Sequence, residues 1–371
     1  METPVERGIC MTHSTYLAHQ LLSCPDFDIV CAIGDPIGGG FLLGSDDGRI
    51  RRFDPTGLEP LAESRVAESV DVVNGIACSR NHIAISTPRK VVFGYYSDLG
   101  KSPSLNVAAY SGGAHGVIAT PSGHFVAPRG HYGLLNARES LEPGVFQFDS
   151  NRTSTNALDF YKVAYLGTDD GYDVLSCALR QDGIGLVRLA HDSRRTSGLR
   201  VLNPGFDVVD VCALKSASTY MTTVALTRES RIILIQEKGD KYEFAVSANS
   251  GLRGTPYRIV IAHGEIFVLT STALFTFPGM AKQLLAGNVN KQQFYMELYL
   301  DAFDVSVAFE KDLLVAETNG VSRIDPLLWL DNKADGNAKT ETVVNYHTQA
   351  AGGQIDFLPI GPVLTAVSAL D

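Results

Sequence analysis

The chain has 371 residues, 45% of them apolar and 19% charged, which excludes an intrinsically disordered polymer. Its net charge of −10 and pI of about 5.4 lack the basic surface that displaces counterions from phosphates, so neither nucleic acid nor an anionic membrane is expected as a partner. Residues 1–24 lack a basic stretch followed by an apolar one, no run approaches the ~20 apolar residues that cross a bilayer, and the six cysteines form no CxxC pair. Reduced thiols and a cytoplasmic location are the expectation.

A short apolar segment ending in alanine recurs along the chain. Ile-Val-Cys-Ala ends at Ala32, Asn-Gly-Ile-Ala at Ala77 and Gly-Val-Ile-Ala at Ala119. Tyr-Lys-Val-Ala ends at Ala164, Asp-Val-Cys-Ala at Ala213, Ile-Val-Ile-Ala at Ala262 and Val-Ser-Val-Ala at Ala308. The mean spacing is 46 residues, and the residue before each alanine is always apolar. Each landmark predicts an innermost strand, its alanine crowding a central axis and its apolar neighbour facing the next unit.

Two further strands follow each landmark. Second strands are predicted at Phe41–Leu43, Ile83–Ile85, Phe125–Ala127, Leu175–Ala178, Thr223–Leu226, Phe267–Leu269 and Leu314–Ala316. Third strands are predicted at Ile50–Phe53, Val91–Phe93, Leu186–Leu189, Ile232–Ile235, Leu274–Phe277 and Val321–Ile324. The turns between them carry Asp47-Gly48, Asp182-Gly183 and Asn319-Gly320, pairs that tolerate the positive φ of tight hairpins. Weaker fourth strands fall at Leu58–Val66, Leu105–Tyr110, Tyr242–Ser247 and Phe294–Leu300, and Met280–Leu285 reads as a helical turn.

This is the pattern of an all-β propeller of four-stranded blades, a single domain over residues 1–371. Seven units leave 49 residues over, nearly one more blade. Eight blades are therefore favoured, closed head to tail: residues 1–24 supply outer strands, Gly8–Met11 and Tyr16–Leu22 among them, and 352–371 supply inner strands. Seven blades with extra terminal strands is the alternative.

The run Leu43-Gly44-Ser45-Asp46-Asp47-Gly48-Arg49-Ile50-Arg51-Arg52-Phe53-Asp54 resembles the second-to-third strand hairpin of a WD40 blade, with Phe53-Asp54 where that family has Trp-Asp. Phe148-Asp149 and Ile324-Asp325 echo it, while the Gly-His pair that opens a WD40 blade is missing and the single tryptophan is Trp329. The resemblance implies a rigid platform for protein partners and carries over no catalytic residue.

Strand-entry loops and second-to-third strand turns share one face of such a ring, around an axial funnel. The candidate site residues there are Asp28, Asp71, His115, Asp159, Asp210, Arg258 and Asp304, accompanied by Asp26, Asp207 and Asp301. Read together, the carboxylates form an acidic mouth, a seat for a basic peptide or a divalent cation. Read singly, aspartates at strand entries cap turns. Basic residues at turn tips, Arg49, Arg51, Arg89 and Arg228 among them, add the opposite charge. His115, His124 and His131 have no metal-site spacing, and no Gly-x-Ser-x-Gly or P-loop is present. The expectation is a non-catalytic scaffold without a cofactor that binds a protein partner. The competing reading is a metal-assisted lactonase-like hydrolase or lyase built on the acidic funnel and His115.

Overall fold

The Asp46-Asp47-Gly48 turn shows how each unit is made. Gly48 takes φ of +83°, Ser45 Oγ donates to Asp47 at 2.5 Å, and the Arg49 amide donates to Ser45 Oγ at 2.8 Å. The turn joins strands Phe41–Ser45 and Arg49–Phe53, paired antiparallel with Phe41 opposite Phe53. This computed structural model describes residues 18–331 and 344–345, apart from 24–25, 56–59, 67–70, 102–103, 106, 152–157, 181–182, 192–195, 215–220, 239–240, 248–250, 288–295, 300–301, 309–311 and 318–319.

The described strands form seven sheets. The inner strands of blades 1 to 7 are, in order, Ile29–Gly34, Gly75–Ser79, Ile118–Ala119, Asp159–Asp169, Val208–Leu214, Pro256–Ala262 and Ala302–Ala308. Each pairs with the next strand in sequence and so on outward, giving an antiparallel meander. Blades 1 and 6 gain a fifth strand, Ser104–Leu105 and Val344–Asn345, each added in parallel.

The favoured count of eight is corrected to seven. After Ile324 the seventh unit turns into a helix, Pro326–Asp331, instead of a fourth strand. Its open edge is covered by Ala18–Ser23, which pairs antiparallel with Gly320–Ile324. The outer strand from the N-terminal region thus completes the seventh blade. Gly8–Met11 and 352–371 lie outside the described residues.

The core confirms the count. Seven apolar clusters fill the seven junctions between adjacent blades. At the junction an eighth blade would have to open, Phe27, Phe41, Leu43 and Phe53 of blade 1 pack against Leu314, Ala316 and Val321 of blade 7, all essentially without solvent exposure. Each such side chain contributes roughly 1.5–3 kcal/mol by leaving water. Opening that junction would forfeit several of these terms together.

The inner strands also correct the predicted faces. Cys31 packs toward blade 2 and the adjacent Ala32 toward blade 7. Ile76 packs toward blade 1 and Ala77 toward blade 3. The alternating side chains of an inner strand face the two neighbouring blades, because each sheet stands edge-on to the axis. Ala32, Ala77, Ala262 and Ala308 are accordingly packed between blades.

Candidate functional site

Five inner strands carry a β-bulge at their entry end. The register shifts between Ile29 and Cys31, Phe160 and Lys162, Val208 and Asp210, Pro256 and Arg258, and Ala302 and Asp304. A bulge inserts one residue, bends the strand and re-aims the side chain beside it. The repeated bulge therefore puts Cys31, Lys162, Asp210, Arg258 and Asp304 in equivalent places around the entrance.

Four of these five reach the backbone of the next blade. Cys31 Sγ donates to the Val73 carbonyl at 3.4 Å. The Ile259 amide donates to Asp210 Oδ2 at 2.8 Å, Arg258 Nε to the Val305 carbonyl at 3.4 Å, and the Ala32 amide to Asp304 Oδ2 at 3.4 Å. Arg258 stands between the two carboxylates, Nε at 3.3 Å from Asp304 and Nη1 at 4.0 Å from Asp210. Burial pushes the Asp210 carboxyl upward, opposed by Arg258 and Lys162. Burial also works against the Arg258 charge, but Asp304 and Asp210 outweigh it and its pKa is raised. From blade 4 to blade 7 the sequence Lys162, Asp210, Arg258, Asp304 alternates in sign. This tier is balanced in charge, unlike the acidic mouth read from the sequence.

The other predicted residues are placed separately. The Asp71 carboxylate is buried and lies 3.3 Å from Arg89 Nε. Asp28 is exposed; its carbonyl accepts the Asp46 amide at 3.1 Å. Burial, and after it the Asp28 charge, raise the Asp46 pKa. Asp159 Oδ2 lies 3.6 Å from His131 Nε2. His115 packs on the Tyr161 ring at 5.3 Å, and its buried Nδ1 has no hydrogen-bond partner. Burial, with Arg180 and Lys162 nearby, lowers its pKa to about 4. His124 does not join the other two histidines: it is fully buried on the first-to-second strand turn of the opposite face, Nδ1 at 2.9 Å from Asn136 Oδ1. Among the described residues, no three of His, Cys, Asp and Glu are grouped to hold a metal ion.

Within several blades an entry-loop aspartate meets a turn arginine. Asp26 pairs with Arg51 at 2.8 Å, Asp71 with Arg89, and Asp207 with Arg228 at 2.7 Å. The same loops are joined through backbone, as where the Arg228 amide donates to the Asp207 carbonyl at 2.9 Å. The bond from Arg51, beside its Coulomb attraction, holds the Asp26 carboxyl down at about 2. These braces fix the turn tips against the entry loops. Lys162, Arg180 and Arg129 stand on the same face and were not singled out in the sequence. Lys162 stands inside the Tyr-Lys-Val-Ala landmark, and a charged residue in an apolar column was the available signal.

No family model and no curated protein matches the chain. Among solved structures, the β-propeller domain of Cps50 (Swd1) from Myceliophteria thermophila aligns with a TM-score of 0.60, covering 83% of this chain and 99% of that one at 10% identity. The WD40 β-propeller domain of Doa1 aligns with a TM-score of 0.55, covering 83% of this chain and 96% of that one at 11% identity. The fold is a WD40-like β-propeller. At these identities the likeness concerns the fold alone. Within this WD40-like propeller the hairpin of residues 43–54 has the expected blade geometry. Phe53 is stacked on Phe41 at 5.1 Å between ring centres. No described helix is long and apolar enough to cross a membrane.

Proposed function

We propose that this chain is a non-catalytic propeller that binds a protein partner through the face made by its strand-entry loops and second-to-third strand turns. The observation that carries this reading is the use made of the charged residues there. Asp71, Asp210 and Asp304 are tied to arginines or to neighbouring backbone, so their charge braces the ring. The turn tips are held rigidly and present side chains to solvent, among them Tyr132 at 63% exposed. Rigid loops on a preformed frame bind partners with little ordering cost. Fold-level analogy supports the reading, since WD40-like propellers serve widely as protein-interaction platforms. The buried free thiols Cys31 and Cys177 suit a reducing compartment, and the cytoplasm is the location we propose. The reading requires no cofactor.

The test is affinity capture from the native host with paired variants. One carries Arg89→Glu and Tyr132→Glu on the entry face. The other carries Ile37→Glu and Leu141→Glu, at exposed positions of loops on the opposite face. A stoichiometric partner should be lost with the first pair and retained with the second. Loss only with the second pair refutes the reading.

A further inference from the structure

One sector of the entry face differs from the rest. In blades 1, 2 and 5 an entry-loop aspartate pairs with an arginine of the same blade's second-to-third strand hairpin, whereas in blades 3 and 4 the cations lie over aromatic rings instead. The Arg129 guanidinium lies 4.6 Å from the Tyr110 ring centre and 5.5 Å from that of Tyr132, and its Nη1 donates to the Tyr110 hydroxyl at 3.0 Å. Arg180 lies 4.5 Å from the Tyr161 ring centre, with Lys162 Nζ at 5.4 Å from the same ring. Among the described residues, none of Arg129, Lys162 and Arg180 makes an ion pair. Asp159 is the nearby carboxylate of this sector, and it lies against His131. Asp210 is the next, on the inner strand of blade 5.

Stacking engages the face of a guanidinium and leaves its N–H edge able to bond. The sector is accordingly rich in donors and poor in acceptors. A buried donor makes the same point independently: Arg129 Nε has no hydrogen-bond partner. A ligand completing this surface must bring acceptors and negative charge. The contrast with the chain as a whole, at −10, is strong, because an acidic segment would be repelled elsewhere on the molecule.

We propose that the sector formed by Arg129, Tyr132, Tyr161, Lys162 and Arg180 seats an acidic, Asp/Glu-rich segment of the protein partner. Carboxylates bridge the guanidinium edges, and apolar side chains of the segment pack on Tyr132 and Tyr161. The proposal rests on the entry-face reading above and deepens it.

The experiment presents the full chain with arrays of short synthetic peptides in four sets: Asp/Glu-rich, phosphoserine without carboxylates, Lys/Arg-rich and neutral. Three proteins are compared: wild type, Lys162→Gln with Arg180→Gln, and Arg228→Gln as a control elsewhere on the face. A parallel variant, Arg129→Gln with Tyr132→Ala, probes the outer end, and an unchanged thermal midpoint certifies each fold. The acidic set should bind best, weaken as salt is raised, and lose at least about tenfold in affinity with either double variant but not with Arg228→Gln. Preference for the phosphoserine, basic or neutral set overturns the proposal, as does acidic binding indifferent to both double variants. Peptides lost with Arg228→Gln alone overturn this seat and leave the entry-face reading standing. Binding of no peptide overturns this seat, and the capture experiment then decides the entry-face reading.

Discussion

The Asp210 carboxylate crosses from blade 5 to blade 6 and accepts the backbone amide of Ile259 at 2.8 Å. The same bond recurs from blade 7 to blade 1, where Asp304 accepts the amide of Ala32. A bulge strains the local ladder, and the carboxylate of the preceding blade satisfies an amide beside it. Two of the candidate site residues are thus stitches of the ring.

Removing one stitch should be costly. Asp210→Ala leaves the Ile259 amide and part of the Arg258 charge without a partner in a buried place, a loss of about 3 kcal/mol. Asp210→Asn keeps an oxygen for the amide, and Asp304 still faces Arg258 at 3.3 Å, so about half of that loss should return. Urea unfolding of the two variants beside wild type measures both. Equal stability of Asp210→Ala and Asp210→Asn would contradict the role of the amide bond.

His115 makes stability depend on pH. Its folded pKa of about 4 lies below the ordinary 6.5. A group with a depressed folded pKa contributes stability that is complete above the unfolded value and is lost as pH falls toward the folded one. Between pH 7 and 4.5, wild type should therefore lose about 2 kcal/mol more than His115→Gln. The groups facing it, Arg180, Lys162 and Asp159, remain in both proteins. Parallel losses in urea midpoints would show that burial of this imidazole is not coupled to folding.

Gly113 marks a close approach on the same face. A Cβ there would stand 1.7 Å from the Pro88 carbonyl oxygen, so the entry loop of blade 3 lies directly on the turn of blade 2. Gly113→Ala should cost about 2 kcal/mol or more, because backbone must move. Gly198, with nothing within 4 Å of an added Cβ, is the control, and Gly198→Ala should change stability by less than about 0.5 kcal/mol. Thermal melts of the two variants decide it, and equal shifts would refute the contact.

The cysteines give a chemical check. Burial raises the thiol pKa of Cys31, Cys78, Cys177 and Cys212. All four should resist an iodoacetamide pulse in the folded protein and label together on unfolding, as read by peptide mass. Rapid labelling of Cys177, fully buried between blades, would contradict the packing of blades 3 and 4.

Much of the fold was legible because apolar runs and Asp-Gly turns are local signals. The runs at Phe41–Leu43 and Phe267–Leu269 and the turn at Gly48 fall where predicted. The blade count was not legible, because pairing of Ala18–Ser23 with Gly320–Ile324 joins segments about as far apart in sequence as the chain allows. Length arithmetic also counted inserts as blade material. Leu105, read as the start of a second-blade strand, lies in Ser104–Leu105, which pairs instead with blade 1, and the helix Met280–Leu285 lengthens blade 6. The site was only half legible. Asp210, Arg258 and Asp304 were read as strand-entry residues, but a bulge leaves no mark in sequence, so neither their equivalence with Lys162 nor the alternation of charge could be read. The stacking of Arg129 and Arg180 on tyrosines depends on contacts across strands and blades, and was hidden for the same reason.

The most direct test of the account is amide hydrogen exchange on the full chain alone and in complex with its captured partner. Binding should slow exchange in the entry-face loops, at residues 26–28, 71–74, 112–117 and 129–133, and leave the opposite turns at 35–40, 80–81 and 263–264 unchanged. Protection confined to those opposite turns would contradict the assignment of the binding face.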